Sequence, residues 1–230
     1  MLRCVVPLDP IPLGEHYSDV PLAESQRYPI DLYQCMDCCA VQTQDDISSD
    51  YLWKDYTYFS GQTKRILDHF EEFADSLLSR FYSGIKPSVL DIGSNDGSLL
   101  QAFKKRGCYV YGIDPASTVV QAAIKNGIPT ALGLFNAKTV ESMLASKQYS
   151  LITAFNVFAH SMEMDEMASS VKQLLASDGI FCFEVQYLVD IVEKNILGTV
   201  FHEHMIHYSY LSASSFMNSH GLEIIDAYRN

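Results

Sequence analysis

Positive charge is scarce in this chain of 230 residues. Sixteen lysines and arginines stand against 28 aspartates and glutamates, which gives a formal net charge of −12. Binding to nucleic acid or to anionic lipid requires a basic patch, so we expect neither, and we expect small molecules or proteins as partners. No apolar run is long enough to span a bilayer, and the start, Met1-Leu2-Arg3-Cys4, has no apolar signal core. We therefore expect a cytoplasmic protein.

A disulfide framework is not expected, although the chain has six cysteines. Residues 1–50 hold most of the prolines, which predicts a small, loop-rich domain. Such a domain buries too little apolar surface to be stable without a bound metal or a cross-link. A C-x-x-C motif in this domain indicates a structural zinc site, with Cys39 or His16 as the undecided fourth ligand. The alternative is a set of buried thiols without metal. The predicted zinc ligands are Cys4, Cys35 and Cys38.

The remainder of the chain predicts an α/β fold with a parallel sheet. Residues 63–82 have apolar positions at helical spacing, and this helix should link the N-terminal domain to the next one. After Pro87, apolar strands alternate with amphipathic helices, as in βαβ units, and a final strand is expected at Leu222–Ala227. The predicted strands lie near residues 88–92, 109–113, 149–155 and 179–185. The predicted domains are 1–50, 51–83 and 84–230.

A glycine turn follows the first of these strands and favours a nucleoside ligand. The turn reads D-x-G-x-x-x-G, which fits the pyrophosphate of NAD poorly, because that ligand is bound by G-x-G-x-x-G. Carboxylate and amide oxygens around the turn suit a cationic sulfonium, so we predict S-adenosylmethionine. The alternative is a capped strand-turn-helix without a ligand. The predicted cofactor-binding residues of the turn are Asp91, Gly93, Asn95, Asp96 and Gly97.

Three further residues are predicted to bind the cofactor. Asp114 ends the next strand, where a carboxylate can bind the ribose hydroxyls. Asn156 follows the fourth strand and should face the same crevice. Phe135 either packs on adenine or belongs to the ordinary core.

Several motifs in order resemble one family, the S-adenosylmethionine-dependent sugar C-methyltransferases that act on nucleotide-linked keto-deoxysugars. These motifs are Pro21-Leu22-Ala23, the cysteine knuckle, Tyr56-Thr57-Tyr58-Phe59-Ser60, the Asp91–Gly97 turn, Asp114-Pro115, Asn156–His160, Glu184–Leu188, Phe201-His202-Glu203-His204 and Gly221-Leu222. The resemblance implies a zinc-binding N-terminal domain, a Rossmann-like class I methyltransferase sheet and a C-terminal domain that helps to hold a nucleotide-sugar substrate.

The chain departs from the family pattern in three places. It lacks a C-x-x-C motif near its start, Phe201 replaces the usual Tyr, and the family's C-terminal domain does not follow residue 230. We hypothesise a fragment or split-gene product with an incomplete sheet, which works with a separate C-terminal domain or as a homo-oligomer. The alternatives to an active C-methyltransferase are a non-catalytic cofactor-binding module and an O- or N-methyltransferase.

Methylation of carbon needs a base beside a ketone and donors that stabilise the enolate oxygen. His204 is the predicted base, since its ordinary pKa lies near neutral pH and the resemblance supports it. Glu203 is predicted to orient the base or contact the sugar, and His160 and Tyr58 to donate to the ketone or enolate. Alternation would place His202 and His204 on one side of an extended segment, and these two imidazoles with His207 and Glu203 could hold a catalytic metal. The alternatives for this histidine cluster are therefore a metal site or a simple polar surface.

Overall fold

The computed structural model describes residues 1–13, 27–44, 47, 52–53, 58–144, 147–161 and 163–230. These residues form two compact units. One unit comprises Met1–Ser48, Asn156–Met164 and Val185–Asn230, and the other comprises Ser49–Phe155 and Asp165–Glu184. Each compact unit thus takes its residues from separate stretches of the chain, whereas the sequence analysis divides the chain at residues 50 and 83. His16, Tyr56 and the Pro21-Leu22-Ala23 motif lie outside the described residues.

The strands and helices are numbered in chain order. The strands are β1 (Leu2–Val6), β2 (Ile11–Pro12), β3 (Arg27–Tyr28), β4 (Leu32–Cys35), β5 (Val41–Gln42), β6 (Ser88–Ile92), β7 (Tyr109–Asp114), β8 (Thr130–Leu132), β9 (Tyr149–Phe155), β10 (Leu175–Glu184) and β11 (Ile206–His207). The helices are α1 (Lys64–Phe81), α2 (Ser98–Lys105), α3 (Ser117–Lys125), α4 (Ala137–Thr139), α5 (Met164–Leu174), α6 (Leu188–Glu193) and α7 (Tyr210–Ser219). Single 3₁₀ turns lie at Ser60–Gln62 and Leu197–Thr199, and α4 continues as a π-helical turn at Val140–Leu144.

A five-stranded parallel sheet forms the centre of the second unit. Its strand order is β10-β9-β6-β7-β8. The central strands are apolar along most of their length, and Val89, Leu90 and Leu151 are fully buried, as expected for a parallel sheet covered on both faces. The predicted strands at 88–92 and 149–155 have the observed bounds of β6 and β9. The predicted α/β fold class and Rossmann-like sheet are therefore confirmed.

Helix α1 packs against α2 in this unit through one apolar face. Phe70, Phe73 and Leu77 on α1 belong to the same buried cluster as Phe103 on α2. At the rim of this contact, the Arg106 Nε donates to Asp75 Oδ1 at 2.6 Å, and its guanidinium also pairs with Glu71. The predicted helix at 63–82 matches α1 because its spacing of apolar residues puts one stripe against the core.

The other unit contains a mixed set of short strands from distant parts of the chain. Its four-stranded sheet has the order β1-β4-β5-β11, with antiparallel neighbours. In this sheet β11 pairs with β5, so that His207 lies opposite Val41. Strands β2 and β3 form a separate two-stranded ladder.

The predicted last strand at Leu222–Ala227 is wrong. Residues 222–230 have no regular secondary structure, and most of their side chains are exposed. Alternating hydrophobicity indicates a strand only when a neighbouring strand supplies hydrogen bonds, and none of the described strands pairs with this segment. No helix among the described residues is both long and apolar enough to cross a membrane.

Candidate functional site

The glycine turn between β6 and α2 is built from left-handed backbone. Gly93, Asn95 and Gly97 have φ angles of 66°, 49° and 79°. The N–H groups of Gly93 and Ser94 donate to the carbonyl of Ile113 on β7, at 2.8 and 3.1 Å. A Cβ at Gly97 would lie 3.0 Å from the Ile128 side chain. Glycine at this position thus serves both the turn geometry and the close packing of the turn.

Asp114, at the end of β7, holds the turn in shape. Its Oδ2 accepts a hydrogen bond from the Asn95 N–H at 2.9 Å, and its Oδ1 accepts one from the Ala116 N–H at 2.9 Å. Burial raises the pKa of this carboxyl, and these two N–H groups oppose that rise. A carboxylate has about four acceptor positions, so two remain for the ribose hydroxyls that the sequence analysis assigns to Asp114.

Asp91, at the end of β6, is a buried acid next to the turn. The Thr153 hydroxyl donates to its Oδ1 at 2.6 Å. Burial raises the pKa of Asp91 to about 7, and the charge of Asp114 adds to this rise. A cationic group bound nearby would favour the ionised carboxylate, so the turn fits the sulfonium or ammonium of S-adenosylmethionine.

A cavity of about 30 Å³ opens at this edge of the sheet. Among the predicted cofactor residues, Asp91, Gly93 and Asn95 line it. The other lining residues are Ser60, Phe70, Ser94, Leu99 and Phe155. Phe135 is buried, Asn156 is exposed with a φ of 54°, and neither lines this cavity. Their roles stay predictions.

A short segment before α1, residues 58–62, is tied onto the turn, and we call it the strap. The Asn95 amide donates to the Tyr58 carbonyl at 2.9 Å and accepts from the Ser60 N–H at 3.0 Å. The Asp96 carboxylate accepts from the Gly61 N–H at 2.9 Å. Sequence analysis assigns both side chains to the cofactor, but in the structure their oxygens accept bonds from the chain's own backbone.

The predicted base, His204, lies in a cluster of rings in the first unit. Its Nδ1–H donates to the Thr199 carbonyl at 2.6 Å, which leaves Nε2 as the basic nitrogen. The ring centroid is 4.0 Å from that of Phe201 and 4.7 Å from that of His160, which meets it edge-on. The Gln186 Nε2 lies 3.4 Å from His204 Nε2.

Burial keeps the histidines of this cluster neutral. It lowers the pKa of His160 to about 3, with further lowering by His204 and His207, and lowers the pKa of His207 to about 4. It also lowers the pKa of His204, against the hydrogen bond to Thr199. At neutral pH the cluster therefore offers an uncharged imidazole that can accept a proton at Nε2.

The predicted alternation of His202 and His204 is wrong. Residues 201–203 form a turn, with the His204 N–H donating to the Phe201 carbonyl at 2.9 Å, and in a turn alternate side chains do not share a side. The His202 Nε2–H instead donates to the carbonyls of Tyr28 and Pro29, at 3.2 and 3.1 Å. Within the described part of the chain, no group of three His, Cys, Asp or Glu side chains could hold a metal ion.

The predicted catalytic residues are only partly brought together. His160 and His204 are in ring contact. The Thr199 carbonyl holds the His204 ring. Glu203 is half-buried, and its predicted role, to orient the base or to contact the sugar, stays a prediction. Tyr58 lies in the strap of the other unit and is 41% exposed. Thr199 and Gln186 were not predicted as site residues: Thr199 belongs to no motif, and Gln186 lies in the Glu184–Leu188 motif but was given no role of its own.

Comparison with known proteins agrees with this geometry. The family described as "Methyltransferase domain" matches residues 62–227. The chain belongs to this methyltransferase family. It therefore carries an S-adenosylmethionine-dependent methyltransferase domain.

The relatives of this methyltransferase include enzymes that methylate different atoms. It is 31% identical to the C-methyltransferase NovU of Streptomyces niveus over 202 residues, which cover 87% of this chain and 48% of that protein. It is 27% identical to a ubiquinone biosynthesis O-methyltransferase of Pasteurella multocida over 107 residues, 41% of this chain and 44% of that protein. The chain thus spans about half the length of these curated relatives.

Solved structures show the same fold. The CcbJ methyltransferase of Streptomyces caelestis superposes with a TM-score of 0.55 and 13% identity, over 68% of this chain and 80% of that chain. An S-adenosylmethionine-dependent methyltransferase of Clostridium acetobutylicum has a TM-score of 0.55 and 12% identity, over 68% of this chain and 82% of that chain.

The cysteines of this methyltransferase do not fit the predicted zinc site. Backbone N–H groups of Cys38 and Asp37 lower the pKa of Cys35, and the Cys38 thiol adds to this effect, so those two thiols are neighbours. Cys4 lies opposite Tyr33 in the β1–β4 ladder, and Cys39 is exposed. A structural zinc needs four ligands, and the described residues offer no set of three.

Proposed function

We propose that this chain is the cofactor-binding and base-carrying part of a C-methyltransferase that acts on a nucleotide-linked keto-deoxysugar. The observation that carries the proposal is the state of His204, whose Nδ1–H is bound by the Thr199 carbonyl while the ring is neutral. Such a ring can remove a proton from carbon, a step that methylation of carbon requires. The similarity to NovU over 87% of the chain supports the same reaction.

The proposed reaction begins at the carbon next to the ketone of the sugar. His204 Nε2 takes a proton from this carbon, and the electron pair of the C–H bond becomes the enolate. When bound, S-adenosylmethionine supplies an electrophilic methyl group. Asp91 and Asp114 would hold this cofactor, whose C–S bond would break as the enolate carbon takes the methyl, so that S-adenosylhomocysteine would leave. The proton on His204 Nε2 then passes to solvent.

Other residues are assigned supporting roles in this proposal. His160 contacts the His204 ring and is neutral, so it can donate a hydrogen bond to the enolate oxygen. Glu203 and Tyr58 are assigned to the sugar and its ketone. Asp91 and Asp114 are assigned to the cofactor, through its positive charge and its ribose hydroxyls. The further partner in this proposal is a separate C-terminal domain or a second copy of the chain.

O-methylation is the second candidate function, because ubiquinone O-methyltransferases are among the relatives. The two reactions differ in one measurable step. Methylation of oxygen needs no proton abstraction from carbon, so it leaves the hydrogens next to a ketone in place.

The test combines the two measurements in one reaction. The chain is incubated in D₂O with S-adenosylmethionine and a panel of thymidine- and uridine-diphosphate keto-deoxysugars, and products are analysed by mass spectrometry and NMR. The proposal expects a new carbon-bound methyl group, and it expects deuterium next to the ketone when S-adenosylhomocysteine replaces S-adenosylmethionine. A new methyl group on oxygen, without exchange at carbon, would favour the second candidate instead.

A further inference from the structure

Several buried polar atoms around His204 have no hydrogen-bond partner among the described residues. The Oε1 of Gln186 is one, although the same side chain's Nε2 lies 3.4 Å from His204 Nε2. Both ring nitrogens of His207 are two more, and this side chain is only 1% exposed. The His207 ring centroid is 6.5 Å from that of His204.

Unpartnered polar atoms of this kind are costly and uncommon. More than about 90% of buried backbone polar groups in folded proteins, and the large majority of buried side-chain polar atoms, have a partner. A buried polar atom without a partner loses its hydrogen bonds to water and gains none in return, so it destabilises the fold. Here three such atoms belong to two side chains that approach the same histidine, which indicates that a polar ligand completes them.

The neighbouring His202 provides the contrast. Its Nε2–H donates to two backbone carbonyls, those of Tyr28 and Pro29. Its Nδ1 has no partner among the described residues, so His202 has one unpartnered nitrogen where His207 has two. His207 is as buried as His202 but makes no such bond among the described residues.

The chemistry of the unpartnered atoms indicates which ligand they suit. An amide oxygen only accepts a hydrogen bond, whereas a neutral imidazole donates at one nitrogen and accepts at the other. His160, His204 and His207 stay neutral by burial, so the cluster offers no positive charge to hold an anion. A hydroxyl group, which both donates and accepts, matches this set of atoms.

We propose that Gln186 and His207 form a hydroxyl-binding subsite beside His204 that takes the ring hydroxyls of the sugar. In this subsite Gln186 Oε1 accepts from one hydroxyl. The two ring nitrogens of His207 point in different directions and take one hydroxyl each, so that the N–H donates to one hydroxyl and the other nitrogen accepts from a second. This inference rests on the proposed function, since it specifies how that site binds its substrate.

The test replaces each side chain by an apolar one of similar size. His207→Leu and Gln186→Met remove the unpartnered atoms, and His202→Leu is the matched control because it removes bonds that the structure shows. Melting temperature is measured without substrate, the dissociation constant of S-adenosylmethionine by calorimetry, and kcat and KM with the keto-deoxysugar substrate.

A binding role predicts a separation of stability from affinity. His207→Leu and Gln186→Met keep or raise the melting temperature, leave the affinity for S-adenosylmethionine unchanged and raise KM by roughly tenfold, as loss of a ligand hydrogen bond does. His202→Leu lowers the melting temperature. If both subsite variants melt as early as the His202 control, or if their KM equals that of the wild type, the subsite is overturned.

A failure of the proposed function gives a different pattern. If the wild type turns over none of the keto-deoxysugars, the reaction is wrong, but the subsite still has its own test. Nitrogen-15 NMR of the histidine rings, with thymidine-diphosphate-glucose as the probe, should shift the His207 resonances and leave those of His202 in place. Unchanged His207 resonances at saturating probe would overturn the subsite.

Discussion

The Nδ1 of His204 lies 2.6 Å from the carbonyl oxygen of Thr199. A carbonyl can only accept, so this contact fixes the proton on Nδ1. The lone pair is then on Nε2, where the Gln186 amide is its partner at 3.4 Å. Thr199 ends a single 3₁₀ turn, and residues 201–203 form a further turn. The turn structure between the two residues therefore sets the tautomer of the predicted base.

Replacing His204 should separate catalysis from cofactor binding. We expect His204→Gln to reduce carbon methylation and deuterium exchange by about 10²–10⁴-fold, the usual contribution of a general base. The affinity for S-adenosylmethionine should stay the same. His220→Gln, in helix α7's C-terminal cap, is the control and should keep full activity. Equal rates for the wild type and His204→Gln would exclude His204 as the base.

The affinity for S-adenosylmethionine should depend on pH through Asp91. The pKa of this buried carboxyl is raised to about 7, so it is uncharged below that pH. Its attraction for a cation is present above pH 7 and is lost as the pH falls through 7, by up to about tenfold per pH unit. Calorimetric titrations between about pH 5.5 and 7.5 measure this slope.

The matching variant for this prediction is Asp91→Asn. It should bind more weakly at pH 7.5 and lose the pH dependence, while Asp68→Asn, whose aspartate pairs with Lys64 on the exposed face of α1, should behave as the wild type. If the affinity of Asp91→Asn for S-adenosylmethionine still falls with falling pH, a group other than Asp91 causes the pH dependence.

The strap should tolerate no side chain at Gly61. A Cβ there would lie 2.7 Å from Asp96 Oδ2 and 2.8 Å from Ser98 Oγ, so the strap or these two side-chain ends must move, and the Gly61–Asp96 hydrogen bond is strained or lost. We expect Gly61→Ala to lower the free energy of unfolding by about 1–3 kcal/mol in urea titrations. A Cβ at Gly198 meets nothing within 4 Å, so Gly198→Ala should change it by less than about 0.5 kcal/mol. If Gly61→Ala and the wild type had the same free energy of unfolding, the strap would accommodate the added methyl group without cost, and the prediction would be wrong.

Acid should destabilise the protein through the histidine cluster. The pKa of His207 is lowered to about 4 in the folded chain, so the unfolded chain binds a proton more readily. The stability that this group contributes is present above its ordinary pKa of about 6.5 and is lost as the pH falls toward 4. Urea titrations at several pH values should therefore give a steeper loss for the wild type than for His207→Leu. Identical slopes would mean that His207 is not held neutral.

Local sequence patterns predicted the parallel sheet well. Strands β6 and β9 are mostly apolar runs bounded by turn residues, and helix α1 has one apolar stripe. In each element the pattern of apolar residues therefore indicates which faces are buried. Leu222–Ala227 has a similar strand pattern but pairs with none of the described strands. A strand forms only when a second segment supplies hydrogen bonds to it. The sequence pattern of one segment does not show whether such a partner lies beside it.

In the candidate site, too, the sequence predicted the local motifs but not the contacts between distant residues. The glycine turn and Asp114 are each marked by a short motif, and in the structure they are joined by hydrogen bonds from Asn95 to Asp114 and from Gly93 to Ile113. The contacts of Asn95 and Asp96 with the strap were not predicted, because their partners, Ser60 and Gly61, lie 35 residues earlier in the chain. The cofactor roles of the two side chains stay predictions. An acidic or amide side chain in a turn is equally suited to a ligand and to the backbone of a distant strap.

By itself the sequence determined the βαβ architecture and the glycine turn, and it marked the histidine that we propose as the base, since periodicity and short motifs depend on neighbours along the chain. Tertiary structure alone decided that Thr199 fixes the His204 tautomer, that His202 binds the carbonyls of Tyr28 and Pro29, and that His207 is buried without a partner among the described residues. Burial and hydrogen bonding set the charge and the available nitrogen of each imidazole, and both depend on residues that folding brings from elsewhere in the chain.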